Sequence, residues 1–235
     1  MKRFYKDAAV VELGDGFALE LDGRPVKTPA RARLAVPIRT LADAIAAEWR
    51  AQGEKIDPHS MPLTGLANAA IDRIAPERAA FAAGLAQYGE SDLLCYRADG
   101  PEPLVARQAE HWDPVLAWAR RRYDIELKVV SGVIHQAQPE PTVARLARAV
   151  SARSPFELAG LSPLVTVSGS LIIALALAEG GIDLEAAWAA ATVDEQWQAE
   201  KWGEDAEAVH ALANRRQDFA AGARLLTLLD QSVSA

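Results

Sequence analysis

Asp194, Glu195, Trp197, Gln198 and Trp202 are the residues of this chain whose types and spacing point to an activity, and that activity is recognition. They lie in the stretch Asp194-Glu195-Gln196-Trp197-Gln198-Ala199-Glu200-Lys201-Trp202-Gly203. In a helix, seven residues advance by about 700°, close to two full turns. Trp188, Glu195 and Trp202 therefore fall nearly on one line, and Trp197 falls on the opposite face. A helix with tryptophan on both faces is buried on both sides or offers one face to a partner. From Asp194 to Glu207 six acids (Asp194, Glu195, Glu200, Glu204, Asp205, Glu207) stand against one base, Lys201. Acid and aromatic together mark a recognition surface. A buried Glu195 on the tryptophan line needs a local partner or a ligand.

Catalytic chemistry has no comparable signal. The four histidines, His59, His111, His135 and His210, are far apart in the chain. There is no H-x-x-x-H and no C-x-x-C, so sequence-local metal ligation is unsupported. No G-x-S-x-G elbow and no phosphate-binding G-x-x-x-x-G-K-[ST] loop is present. Gly14 and Gly16 are followed by Leu19 where a dinucleotide motif needs its third glycine. Ser168-Gly169-Ser170 reads as small residues at a tight helix contact. Cys95, the only cysteine, sits among apolar neighbours and reads as a buried structural thiol. Asp194 and Glu195 are adjacent, and adjacent helical side chains do not face each other, so they form no acid–base dyad. Arg120-Arg121-Arg122 and Arg215-Arg216 read as solvated faces or internal partners for acids. The reading is a non-enzyme without cofactor or metal. An enzyme with an inter-domain cleft and a resident structural subunit stay open as alternatives.

The elements that must position these residues follow from periodicity and punctuation. The 235 residues, half of them hydrophobic, suffice for a core without disulfide staples. Residues 1–75 carry 11 basic and 10 acidic residues, and residues 76–235 carry 14 and 22. The acidic second part argues against nucleic acid, which needs a basic footprint. The longest apolar run, Leu171–Ala178, is far short of the ~20 residues of a membrane span and reads as a core helix. No signal-peptide pattern opens the chain, which fits the cytoplasm.

Strands are expected at Ala8–Leu13 and Phe17–Leu21 around a three-residue loop, Gly14-Asp15-Gly16, with Asp22-Gly23 turning the chain into Arg24–Thr28. Leu34–Val36 is a further short strand. Thr40 and Asp43 then resemble a capping box for a helix to about Gln52, and Ser60-Met61-Pro62 opens another. After Pro76 the pattern is helical: 77–87, 102–123, 142–152, 163–178, 183–202 and 205–230, with a short extended piece at 127–130. The expected fold is α+β: a small N-terminal antiparallel sheet domain with helices (1–75), then a larger helical domain (76–235).

Several phrases, in order over some two hundred residues, resemble one family. They are Arg3-Phe4-Tyr5-Lys6, Leu21–Pro29, Ala47–Gln52, Met61–Thr64, Ala70-Ile71-Asp72, Asp92–Arg97, Trp112-Asp113-Pro114 and Asp194–Gly203. The family is that of the ATP synthase F1 assembly chaperones that hold the alpha subunit. The resemblance implies a transient partner, the unassembled alpha subunit, kept from aggregating until the beta subunit displaces it. It implies a bacterial member, monomeric alone and acting in the cytoplasm, with Glu195 as the first contact position. Trp49 and Arg24 also match family phrases, and packing roles suit them as well as client contact does.

Overall fold

The computed structural model describes residues 1–203 and 205–230. Contacts divide the chain into two units. One holds Met1–Arg78, Ser154–Gly160 and residues 224–230; the other holds Ala79–Arg153 and Leu161–Ala223.

In the first unit, β1 (Ala8–Leu13) and β2 (Gly16–Leu21) pair antiparallel from Ala8↔Leu21 to Leu13↔Gly16. The loop is therefore two residues, Gly14 and Asp15, not three, and neither takes a positive φ. Gly16 is in the strand, and its smallness serves packing: a Cβ there would lie 2.6 Å from the Val36 carbonyl oxygen. Asp22 and Gly23 do take positive φ, 49° and 76°, as a type I′ hairpin turn requires. They lead into β3 (Arg24–Pro25), and β4 (Ala35–Val36) pairs with β2 further along.

The helix α1 (Arg39–Arg50) lays Leu41, Ala42, Ile45 and Ala46 on this sheet. The Thr40 capping box does not form. Ile38 is the cap residue, and Thr40 lies inside the helix with its hydroxyl 3.4 Å from the Leu228 carbonyl oxygen.

Polar seams close this unit. The buried Glu48 carboxylate accepts from the Leu63 amide (2.8 Å), the Thr64 amide (2.9 Å) and the Thr64 hydroxyl (2.7 Å). These belong to the first turn of α2 (Pro62–Ala69), where amides lack helical partners and the dipole favours an anion. Asp72, in the π-helical turn after α2, accepts from the Thr28 hydroxyl (2.6 Å) and the Ala30 amide (2.9 Å). Arg3 donates to three carbonyls, of Tyr5, Lys6 and Gln52. The Tyr5 hydroxyl donates to the Trp49 carbonyl at 2.7 Å, and the two rings lie 5.6 Å apart. Trp49 thus packs within the unit, while Arg24 is exposed.

The second unit is helical apart from a two-residue parallel ladder. α3 (Arg78–Ala86) leads to β5 (Tyr96–Arg97), and α4 (Glu102–Tyr123) is followed by β6 (Val130–Ser131), which pairs with β5. Next come α5 (Glu140–Ser151), α6 (Pro155–Ser168), whose residues up to Gly160 count with the first unit, α7 (Leu171–Ala178), α8 (Leu184–Ala191), α9 (Val193–Trp202) and α10 (Ala206–Asp230), whose end from Arg224 counts with the first unit. Residues 171–176 of α7 are fully buried, as a core helix should be.

Two expected helices are each broken in two. The 163–178 segment turns at Gly169 (φ 69°), so Ser168-Gly169-Ser170 is a corner and not a helix contact. Buried Asp92 ties that corner down, accepting from the Ser170 hydroxyl (2.7 Å), the Ile172 amide (3.0 Å) and the Leu94 amide (3.1 Å). The 183–202 segment breaks at Thr192 (φ −123°, ψ 17°). The Thr192 hydroxyl donates to the Trp188 carbonyl at 2.8 Å and accepts from the Gln196 amide group at 2.7 Å.

Candidate functional site

The break at Thr192 separates Trp188 from the line it was expected to share with Glu195 and Trp202. Trp188 is buried on α8 against Phe219, ring centroids 5.6 Å apart. Glu195 and Trp202 remain together on α9, two turns apart. With Gln198 and Ala199 they occupy positions i, i+3, i+4 and i+7, which is one helix face. After Gly203 (φ 87°) the chain reverses into α10. Asp205, Ala208, Val209, Leu212 and Arg215 recur there at the same spacing, and Ala211 sits beside them.

The two faces form a groove of about 440 Å³. Its walls are largely alanine, valine, leucine and tryptophan. Trp202 is 78% exposed and Val209 44%, although both are large and apolar. Gln198 and Asp205 are exposed at the groove, and Glu195 is half-buried. The Asp205 carboxylate also accepts from the Ala208 amide at 3.1 Å, opening α10. Glu204 lies outside the described residues.

The other two expected site residues face elsewhere. Trp197 is 8% exposed, so it offers no face to a partner. Its ring lies between two cations, Lys201 Nζ at 4.8 Å and the Arg107 guanidinium at 5.2 Å. Arg107 also makes a two-pronged pair with Glu200, both contacts 2.8 Å. That pairing holds the Glu200 carboxyl below its ordinary range. Asp194 accepts from Gln108 at 2.7 Å, and Gln108 itself accepts from the Ala98 amide at 2.9 Å. Trp112 of α4 donates to the Ala190 carbonyl at 2.8 Å. Asp194 and Trp197 therefore dock α9 on α4 and leave the opposite face of α9 to the groove.

Arg215 was read only as half of a basic pair, yet it closes one end of the groove. Its guanidinium lies 3.2 Å from Glu195 Oε1 and donates to the Val167 carbonyl at 2.9 Å. Beyond this pair is a smaller cavity of about 210 Å³, lined in part by Trp112, Ser168, Asp194 and Arg215. The spacing of Asp205, Ala208, Val209, Leu212 and Arg215 was the sequence signal for the second wall. It is legible only once α9 is known to reverse at Gly203.

Among the described residues, no cluster of three or more His, Cys, Asp or Glu could hold a metal ion, and no helix is long and apolar enough to cross a membrane. Cys95 is fully buried, and burial pushes its thiol up to about 12, far from the range of a reactive thiolate.

The groove is thus two helix faces carrying a solvent-exposed tryptophan and a Glu195–Arg215 pair. Comparison with known proteins gives the chain a family. Residues 2–120 match the family described as ATP12 chaperone protein. The crystal structure of Atp12 from Paracoccus denitrificans is 43% identical, with 97% of each chain covered and a TM-score of 0.93. The Atu1473 protein of Agrobacterium tumefaciens is 45% identical over 97% of this chain and 86% of that one, also at 0.93. The mitochondrial protein atp12 of Schizosaccharomyces pombe is 26% identical over 222 residues, 88% of this chain and 76% of that protein. The chain belongs to the ATP12 family, chaperones of ATP synthase assembly.

Proposed function

We propose that this chaperone holds the unassembled alpha subunit of the F1 sector, and that the α9–α10 groove is where it does so. The observation that carries this reading is Trp202: a tryptophan 78% exposed at the mouth of an apolar groove, two helical turns from Glu195. Exposed aromatics of this kind are the usual anchors of protein interfaces. Glu195, Gln198 and Trp202 contact the client, and Asp194 and Trp197 hold α9 in place from behind. The partner is transient and the role non-catalytic. A subunit awaiting its ring neighbours carries apolar interfaces that associate when free. A binder that covers them acts by mass action and needs no nucleotide. The bacterial relatives support a cytoplasmic site of action.

The test is recovery of the alpha subunit from a cell lysate by the full chain, with the bound proteins identified by mass, compared with the Trp202→Ala and Glu195→Lys variants. The expected result is capture of the alpha subunit alone by the natural chain. Each variant should lose binding by tenfold or more, about 1.4 kcal/mol or greater, with unchanged thermal unfolding. Capture of the complete synthase would point to a resident subunit. Retained binding by both variants would move the interface away from this groove.

A further inference from the structure

Among the acids of α9, Glu195 is the least firmly engaged. Glu200 has a bidentate guanidinium at 2.8 Å on both oxygens, and Asp194 has an amide donor at 2.7 Å. Glu195 has one contact to Arg215, at 3.2 Å, with the two side chains 43% and 39% exposed. Arg215 has a second anchor of its own, the Val167 carbonyl at 2.9 Å, so its guanidinium stays satisfied in part if Glu195 is taken from it. Exposed pairs of this sort contribute little to stability, so exchange of one cation for another costs little.

We infer that Arg215 occupies, within the chain, the seat on Glu195 that an arginine or lysine of the client takes when it docks. The groove's partner is then a client segment carrying a cation together with a large apolar side chain. The cation displaces Arg215 from Glu195, and the apolar group lies against Trp202 and Val209. Two helical turns separate Glu195 from Trp202, so the cation and the apolar group must be about 10 Å apart. Charge favours this occupant. Among the described lining residues, Glu195 and Asp205 oppose Arg215 alone, which leaves the groove one negative charge in excess while Arg215 is seated. An anionic segment would meet Asp205 unpaired and gain nothing from Trp202. The exchange also limits affinity, because each docking event breaks an internal pair before it makes an external one. This suits a client that must later be surrendered.

This inference rests on the groove being the client site, and its test separates the two. Binding and dissociation of purified alpha subunit are measured for the natural chain, Arg215→Gln, Glu195→Gln and the double variant. Glutamine at 215 removes the charge and keeps a polar stem; Arg215→Ala and thermal unfolding of all variants check the fold. Arg215→Gln should bind about two- to fivefold tighter than the natural chain and dissociate more slowly. Glu195→Gln should bind more weakly, and adding Arg215→Gln to it should give no tightening. Weakened or unchanged binding by folded Arg215→Gln overturns the inference while leaving the groove as the site. No binding by the natural chain removes the proposed function, and this inference with it.

Discussion

Glu48 is an acid buried in the first unit, and its three donors all come from the first turn of α2. Glutamine is nearly the same size but offers one acceptor oxygen and no charge. Glu48→Gln should leave at least one amide of α2 without a partner and cost about 2–3 kcal/mol, read as a lower urea midpoint at constant slope. An unchanged midpoint would show that water replaces the carboxylate without loss. Asp92 is the corresponding acid of the second unit, and there burial dominates. It pushes the carboxyl from 3.8 up to about 6 against the pull of its hydrogen-bond donors. The folded chain then holds this proton more tightly than the unfolded chain. The contribution to stability is full below about pH 4 and is lost as pH rises through about 6. The stability of the natural chain relative to Asp92→Asn should fall by about 2–3 kcal/mol across that window and level off above it. A pH-independent difference between the two would show that Asp92 titrates alike in the folded and unfolded chain. Neither acid stood out in the sequence as structural, because all their partners but the Leu94 amide lie 15 or more residues away.

Elements with strong punctuation were legible. The helix expected over residues 102–123 is α4 in full, with Pro101 before it and left-handed Asp124 (φ 52°) after it. The two hairpins and the buried α7 were equally plain from alternation and from an unbroken apolar run. The missed breaks lacked such marks. Thr192 is neither glycine nor proline, and the local feature at the break is a hydroxyl bond to the Trp188 carbonyl four residues back, of the kind that bends helices. That one residue decides the site, because it sends Trp188 to the core and leaves Glu195 and Trp202 with the groove. The Gly14–Gly16 loop misled in another way: glycine suggested a backbone need, whereas Gly16 answers to a neighbour. Gly16→Ala should force β2 away from β4 and cost about 1–3 kcal/mol, measured by denaturant unfolding. Gly14→Ala, with no atom within 4 Å of the new Cβ, should be near neutral by the same measurement. Equal losses at the two positions would refute the packing account.

On the scale of the whole molecule, the family phrases divide by purpose. Arg3–Lys6, Ala47–Gln52, Met61–Thr64 and Asp72 close the seams of the first unit. Asp92–Arg97 and Trp112-Asp113 do the same in the second, where Arg97 pairs with Asp113 at 2.7 Å. Leu21–Pro29 and Asp194–Gly203 each have one face packed on their own unit and one face exposed, and only the second lines a groove described above. Resemblance therefore spread evenly along the chain, while the candidate contact surface is confined to its last third. The sequence could not say which phrases were scaffold, since a clamp and a contact both draw on acids, arginine and tryptophan.

Five of the six tryptophans are buried or half-buried, and Trp202 alone is exposed. That distribution makes the molecule its own optical probe. Acrylamide should quench a single red-edge component of the emission in the free chaperone, and Trp202→Phe should remove it without altering the rest. When a client covers the groove, that component should shift to shorter wavelength and escape the quencher. Docking and release could then be followed in real time, with no label attached to either protein.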